Sequence, residues 1–182
     1  FPVFHLLTAT RAVPLRLWRV HAKEPFMHPN PHVRRAIPED LPDLLAMVHA
    51  LAAHHGDTSV LTPEVLLRDL FGDPPWITAL VATNGVGLSG YAVLTPMMQL
   101  QFGVRGMDMH HLFVRPECRG AGVGRALLEA SIAHAKSQHC AFLTVGMAPD
   151  NPAAQAFYLA AGLAQRPASG PRFSIKLDLS AV

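Results

Sequence analysis

Leu41, Leu44, Leu45, Val48, Leu51 and Ala52 recur at the three-and-four spacing of a single helix face. Pro38, Glu39 and Asp40 precede them, a proline and two acids where a first helical turn favours both, and Gly56 ends the run. Thr62-Pro63-Glu64 is a second start signal, with Leu66, Leu67 and Leu70 following and Gly72 as the stop. Residues 33–37 predict a short opening strand. Residues 76–83 predict a buried strand, turned by Asn84-Gly85-Val86-Gly87 into a hairpin partner at 88–96. A further strand is expected at 107–114, a helix at 123–138 and a strand at 141–147. A helix at 152–161 closed by Gly162 and a last strand at 172–179 complete the pattern. The order β-α-α-β-β-β-α-β-α-β predicts an α/β (α+β) domain, and the chain shows no internal repeat.

Composition narrows the class. Half of the 182 residues are apolar and 15% are charged, which excludes a disordered chain and supplies a full core. No apolar run reaches the length of a membrane span. Cys118 and Cys140 are too few for a disulfide framework and read as free thiols of a reducing, cytoplasmic setting. Of the net charge of +2, residues 1–27 hold Arg11, Arg16, Arg19 and Lys23 against Glu24; the other 11 basic and 12 acidic residues leave the body near neutral. A basic field for nucleic acid is therefore not expected, nor is a membrane partner. Residues 1–32 are read as an extension ahead of a domain at 33–182. Phe1 is not a natural start, so the extension is a targeting presequence, a cloning remnant, upstream translation before Met27, or a disordered tail.

The most informative segment follows the strand at 107–114. Arg115-Pro116-Glu117-Cys118-Arg119 leads into Gly120-Ala121-Gly122-Val123-Gly124-Arg125, with a helix starting inside the glycines. Glycine permits close approach and unusual backbone angles, and a helix start offers unpaired N–H groups to an anion such as a pyrophosphate. A P-loop is excluded, because no Gly-Lys-Ser/Thr follows, and the spacing fits a dinucleotide fingerprint poorly. Taken alone, the glycines suit a tight structural turn as well as a ligand cradle.

Arg119-x-x-Gly122-x-Gly124, together with Asn151, Phe157-Tyr158 and Gly162-Leu163 downstream, resembles the acetyl-CoA motif and second signature of the GNAT N-acetyltransferase superfamily. The resemblance covers roughly residues 33–180. Residues 61–76, from Thr62-Pro63-Glu64 to Asp73-Pro74-Pro75-Trp76, are similar to the diamine (spermidine/spermine, thialysine) acetyltransferase branch. The resemblance implies a mixed, mostly antiparallel sheet of six to seven strands flanked by about four helices. It also implies a splay between the strands near 107–114 and 141–147, acetyl-CoA as co-substrate, no metal, and a homodimer. It places Leu112, Phe113 and Val114 along the pantetheine arm, Arg119, Gly120, Ala121, Gly122, Val123, Gly124 and Arg125 around the pyrophosphate, and Asn151, Ala154 and Tyr158 beside the cofactor.

The implied chemistry is attack of an amine on a thioester. An amine with a pKa near 10 arrives protonated, so a base is needed, and the departing thiolate needs an acid. Tyr158 matches the family tyrosine that faces the sulfur, although an aromatic on a helix is as readily a packing residue. Where diamine acetyltransferases often carry Glu-Asp, this chain has His110-His111. Histidine is a plausible base, and strand alternation would send the two rings to opposite faces, leaving one toward the amine. His110 falls on the glutamate position, and both residues packing against the sheet is the alternative. Asp108, on the face of His110, restores some negative charge. His49, His54 and His55 show no ligand spacing. The leading expectation is acetyl transfer to a primary amine of a small molecule, polyamine-like or amino-acid-like. Acetylation of a protein or peptide amine and a silent acyl-CoA-binding module are the alternatives, and loops 54–62 and 96–106 are expected to choose the acceptor.

Overall fold

The computed structural model describes residues 31–83, 85, 87–166 and 173–175. A strand β1 (His32–Arg35) opens it, and a 3-10 turn at Pro38–Asp40 leads into helix α1 (Leu41–His54). Asp40 holds this entry together. It accepts two hydrogen bonds from the Arg34 guanidinium and one at 2.9 Å from the Ile37 N–H. Helix α2 (Pro63–Phe71) starts as its sequence predicts, the Thr62 hydroxyl accepting from the Val65 N–H.

Strand β2 (Thr78–Thr83) begins two residues later than the pattern suggested. The amides of Trp76 and Ile77 bond the Asp69 carbonyl in α2 instead, and Trp76 stands 78% exposed. Gly85 supplies the left-handed turn residue at φ +89°. Asn84 and Val86 lie outside the described residues.

Strands β3 (Leu88–Gln99) and β4 (Val104–Val114) are longer than the sequence indicated. They absorb most of the expected loop 96–106 and reverse through Leu100–Phe102 and Gly103. Pro96 is tolerated inside β3 because β2 pairs only as far as Leu94, so Pro96 lies where β3 has β4 alone as partner. Helix α3 (Val123–Ser137), strand β5 (Cys140–Val145) and helix α4 (Pro152–Ala160) follow.

Among the described residues the sheet has five strands in the order β1-β2-β3-β4-β5, antiparallel except for the parallel β4–β5 pair. The expected six to seven are not matched. The strand foreseen at 172–179 lies, apart from 173–175, outside the described residues. Four helices cover the two faces. Leu44 and Met47 of α1 and Leu66 and Leu70 of α2 pack on Val81, Tyr91, Val93 and Phe113. Val123, Leu127 and Leu128 of α3 pack on Leu80, Ala82, Ala92, Leu94, Met107 and Met109. Burial on both faces explains the near-continuous apolar runs of β2 and β3, since successive side chains enter opposite cores.

Candidate functional site

Strand β4 pairs with β5 only from Arg105 to Met109, where Met109 faces Val145. Beyond that point it pairs with β3 alone. Arg115 donates its N–H to the Ser89 carbonyl at 3.0 Å, and Tyr91 faces Phe113. By antiparallel alternation, Phe113 also turns its polar backbone groups to β3, while Leu112 and Val114 turn theirs into the gap. Phe113 is thus a ladder and core residue rather than a gap-lining one. The side chains of Leu112 and Val114 join the core beneath α3, with Val145, Phe157 and Tyr158.

The glycine-rich loop sits at the mouth of this gap. Gly120 and Gly122 adopt φ +77° and +81°, conformations costly for other residues, and a Cβ at either would have nothing within 4 Å. Gly122 caps α3 without a side chain, and the first helical bond runs from the Ala126 N–H to the Gly122 carbonyl. The amides of Val123, Gly124 and Arg125 precede it, so the first turn presents unpartnered donors and a positive dipole end. A Cβ at Gly124 would lie 3.6–3.7 Å from Phe157 and Val114, ordinary van der Waals contact, so packing does not require glycine at this third position. Open space above two left-handed glycines and a bare helix start fits a pyrophosphate.

The arginines are committed differently. The Arg119 Nε donates to the Val114 carbonyl at 3.2 Å, one of the gap-facing groups. Arg125 reaches along the surface to Glu129 and the Ala160 carbonyl, away from the helix start. Asn151 caps α4, its Oδ1 accepting from the Ala154 N–H at 2.9 Å, so both residues act within the helix terminus.

The expected alternation of His110 and His111 fails. Val93 faces His111 and Leu94 faces Met109, so His110 is an extra residue, a β-bulge. Both rings therefore lie on one face, stacked with centroids 4.7 Å apart and 14° between planes. His110 is 62% exposed, its Nδ1 3.9 Å from the Asp108 carboxylate, which accepts a 2.9 Å bond from the Thr144 hydroxyl. The His111 Nδ1 lies 3.1 Å from the hydroxyl of fully buried Tyr91. Burial first, then the neighbouring His110 and His55, pull His111 down to about 4, so it is neutral at physiological pH. His55, at the end of α1, brings the start of the expected loop 54–62 to this face.

Tyr158 packs on the opposite core beside Phe157, and burial pushes its phenol above the ordinary value. It makes no direct contact with the histidines; the β4–β5 gap lies between the two faces. Sequence reasoning missed Tyr91 and Thr144, and it reached His55 only as part of loop 54–62 and of a histidine group without ligand spacing. Tyr91 carried a faint signal, a hydroxyl in the middle of an apolar strand, since a buried phenol needs a partner. Thr144 carried none, because its bond to Asp108 depends on a pairing distant in sequence. Among the described residues, no three His, Cys, Asp or Glu side chains are grouped to hold a metal ion. No helix there is long and apolar enough to cross a membrane.

Comparison with known proteins adds three findings. The acetyltransferase (GNAT) family matches residues 45–163. The L-methionine sulfoximine/L-methionine sulfone acetyltransferases of Pseudomonas paraeruginosa and Pseudomonas aeruginosa are each 29% identical over 160 residues, 81% of this chain and 90% of theirs. An aminoglycoside acetyltransferase from an uncultured soil metagenomic sample, solved with sisomicin, superposes with a TM-score of 0.69 at 16% identity. That match covers 81% of this chain and 97% of the other and speaks to the fold alone.

Proposed function

Since the chain belongs to the acetyltransferase (GNAT) family, we propose that it moves an acetyl group from acetyl-CoA to the primary amine of a small, amino-acid-like molecule. The observation that carries this reading is the parting of β4 from β5 after Met109, directly below a bare α3 start. The gap-facing backbone groups of Leu112 and the Val114 N–H pair with the pantetheine arm as an added strand would, while Arg119 already holds the Val114 carbonyl. The amides from Gly120 to Arg125 hold the pyrophosphate. The bound co-substrate supplies an acetyl thioester, a reactive acyl group with a good leaving sulfur.

The residues then handle protons. Asp108 faces Nδ1 of His110 and, accepting only, favours the tautomer with its proton there, leaving the Nε2 lone pair free. His110 removes the proton from the acceptor ammonium and passes it to solvent, to which it is open. The amine nitrogen bonds the acetyl carbon, the C–S bond breaks with its electron pair on sulfur, and Tyr158 gives the thiolate a proton; the second proton that the nitrogen loses as the amide forms restores the phenol by way of solvent. A phenol raised by burial retains that proton until a strong base appears beside it.

An amino-acid acceptor is favoured over a diamine on two grounds. The site face described carries Asp108 beside His110 and His111 where the diamine branch has an acidic pair, which leaves little negative charge to hold a polycation. The Pseudomonas relatives are acetyltransferases for two amino-acid derivatives. The test is CoA release with L-methionine sulfoximine, L-methionine sulfone, spermidine, an aminoglycoside and a short peptide as acceptors. Release with the amino-acid derivatives is expected. Release only with spermidine or the peptide overturns the acceptor class, and CoA binding without release to any amine indicates a silent binding module.

A further inference from the structure

Tyr91 is a core residue with no surface exposure, yet its hydroxyl is aimed at a site residue, His111, on the next strand. The arrangement is a chain of three rings. The Tyr91 ring lies 6.0 Å from that of His111, nearly edge-on at 67°, and His111 in turn lies flat beneath His110. We propose that Tyr91 is a positioning residue for amine deprotonation: its hydroxyl fixes His111 as a neutral plate, and that plate orients His110, which takes the proton. This rests on the acetyl-transfer reading above and adds a residue to it.

The chemistry follows from donors and acceptors. Among the described residues, the Tyr91 hydroxyl has no hydrogen-bond partner but the His111 Nδ1. A buried hydroxyl proton needs an acceptor, so Tyr91 donates and His111 carries its own proton on Nε2. Protonating Nδ1 would break this bond and strand the phenol proton in an apolar core. The bond thus acts in the same direction as burial, keeping His111 uncharged. A charged ring stacked on His110 would make His110 a poorer proton acceptor. The titratable groups facing the pair are His55 from the end of α1, Tyr91 from β3, and Asp108 beside His110 on β4. Asp108 faces His110, so the acidic group supports the ring that gains charge.

The test is Tyr91→Phe, which keeps the ring and its packing. Three readouts are needed: steady-state kinetics, CoA affinity by calorimetry, and histidine titration by NMR at a temperature where the variant is folded. The expected result is kcat lowered about 5- to 50-fold, CoA affinity unchanged, and the His111 titration moved upward. A merely structural tyrosine would alter stability without moving that titration. Unchanged kcat, or an unmoved His111 titration in the folded variant, overturns the proposal. His110→Gln, run in parallel, separates the two readings. If it slows turnover while Tyr91→Phe does not, only the role of Tyr91 fails. If neither slows turnover, the assignment of His110 as base fails as well.

Discussion

His110 and His111 are consecutive residues of one strand, yet their rings stack on the same face of the sheet, 4.7 Å apart. The bulge opposite Val93 and Leu94 is the cause, because it inserts His110 into β4 without a partner and resets the alternation. Asp108 and Met109 keep the register before it, and His111 and Phe113 keep the register after it. A tandem pair in a regular strand would have divided its labour between two cores. Here the pair makes one exposed ring over one shielded ring.

The two histidines should separate in a variant comparison. His110→Gln is expected to lower kcat about 100-fold, within the range for losing a general base. His111→Gln should have a smaller effect and leave the shape of the pH–rate profile between pH 5 and 9 unchanged, since that ring is already neutral there. A larger loss from His111→Gln, with an altered profile, would transfer the base to His111.

The depressed value of His111 also predicts an acid sensitivity of the fold. A histidine whose native value is about 4 binds its proton more readily when unfolded, where the ordinary value is near 6.5. Between those values the unfolded chain holds the extra proton, so this contribution to stability falls as pH drops from about 6.5 to 4 and levels off below. Thermal melts across that window should show a slope that flattens in His111→Gln. An identical slope in both proteins would place the acid sensitivity elsewhere.

The glycines of the loop answer to different substitutions. Gly122→Ala meets open space but keeps a left-handed φ of +81°, so a cost of about 1 kcal/mol in stability is expected from the backbone alone. Gly122→Glu adds a carboxylate at the mouth of the proposed pyrophosphate cradle and should abolish CoA binding by calorimetry. Near-wild-type affinity in the glutamate variant would falsify the cradle assignment.

Gly90 on β3 makes a prediction that no motif suggests. A Cβ there would lie 2.6 Å from the Phe113 carbonyl and 3.2 Å from a Leu127 methyl. Backbone cannot yield as a side-chain tip can, so Gly90→Ala must push β4 outward at Phe113 and Val114. A loss of about 1–3 kcal/mol in stability is expected, as for overpacked cores, with weakened CoA affinity because the shifted strand edge is the proposed pantetheine partner. Unchanged urea unfolding would show that the strands part without cost.

Much of this fold was legible because local signals carry it. Thr62 marks a helix start by capping it, as its sequence predicts, whereas Asn151 and Gly122, read as motif residues beside the cofactor, also stand in the structure as the caps of α4 and α3. The loop geometry of the candidate site was legible where motif and backbone coincide, at the left-handed Gly120 and Gly122 and the helix start after them, and illegible where long-range pairing decides. The bulge at His110 depends on how β3 meets β4, and no neighbour in sequence announces it. The extension of the hairpin to Gln99 and Val104 was hidden by Pro96, which reads as a strand end but sits where β3 has lost its β2 partner. Arg125 shows the converse, a residue inside the motif whose side chain is drawn away by Glu129 and the Ala160 carbonyl.

Tyr158→Phe tests the other end of the proton path. The ring packs with Phe157 beside Val114 and Val145, and phenylalanine keeps that contact, so stability and CoA affinity should change little. The hydroxyl is what the change removes. The phenol lies above its ordinary value through burial, so wild type holds its proton across the working pH range and the donor is not lost on the alkaline side near neutrality. Without it the thiolate must leave unprotonated or take a proton from water, and kcat should fall about 10- to 1000-fold. The loss should shrink with an acetyl donor whose thiol is more acidic, because a better leaving group needs less help. If turnover with acetyl-CoA is unchanged, Tyr158 is a packing residue and the thiolate is protonated by solvent. If turnover falls equally for donors of every leaving-group acidity, Tyr158 serves acceptor placement instead of the leaving sulfur.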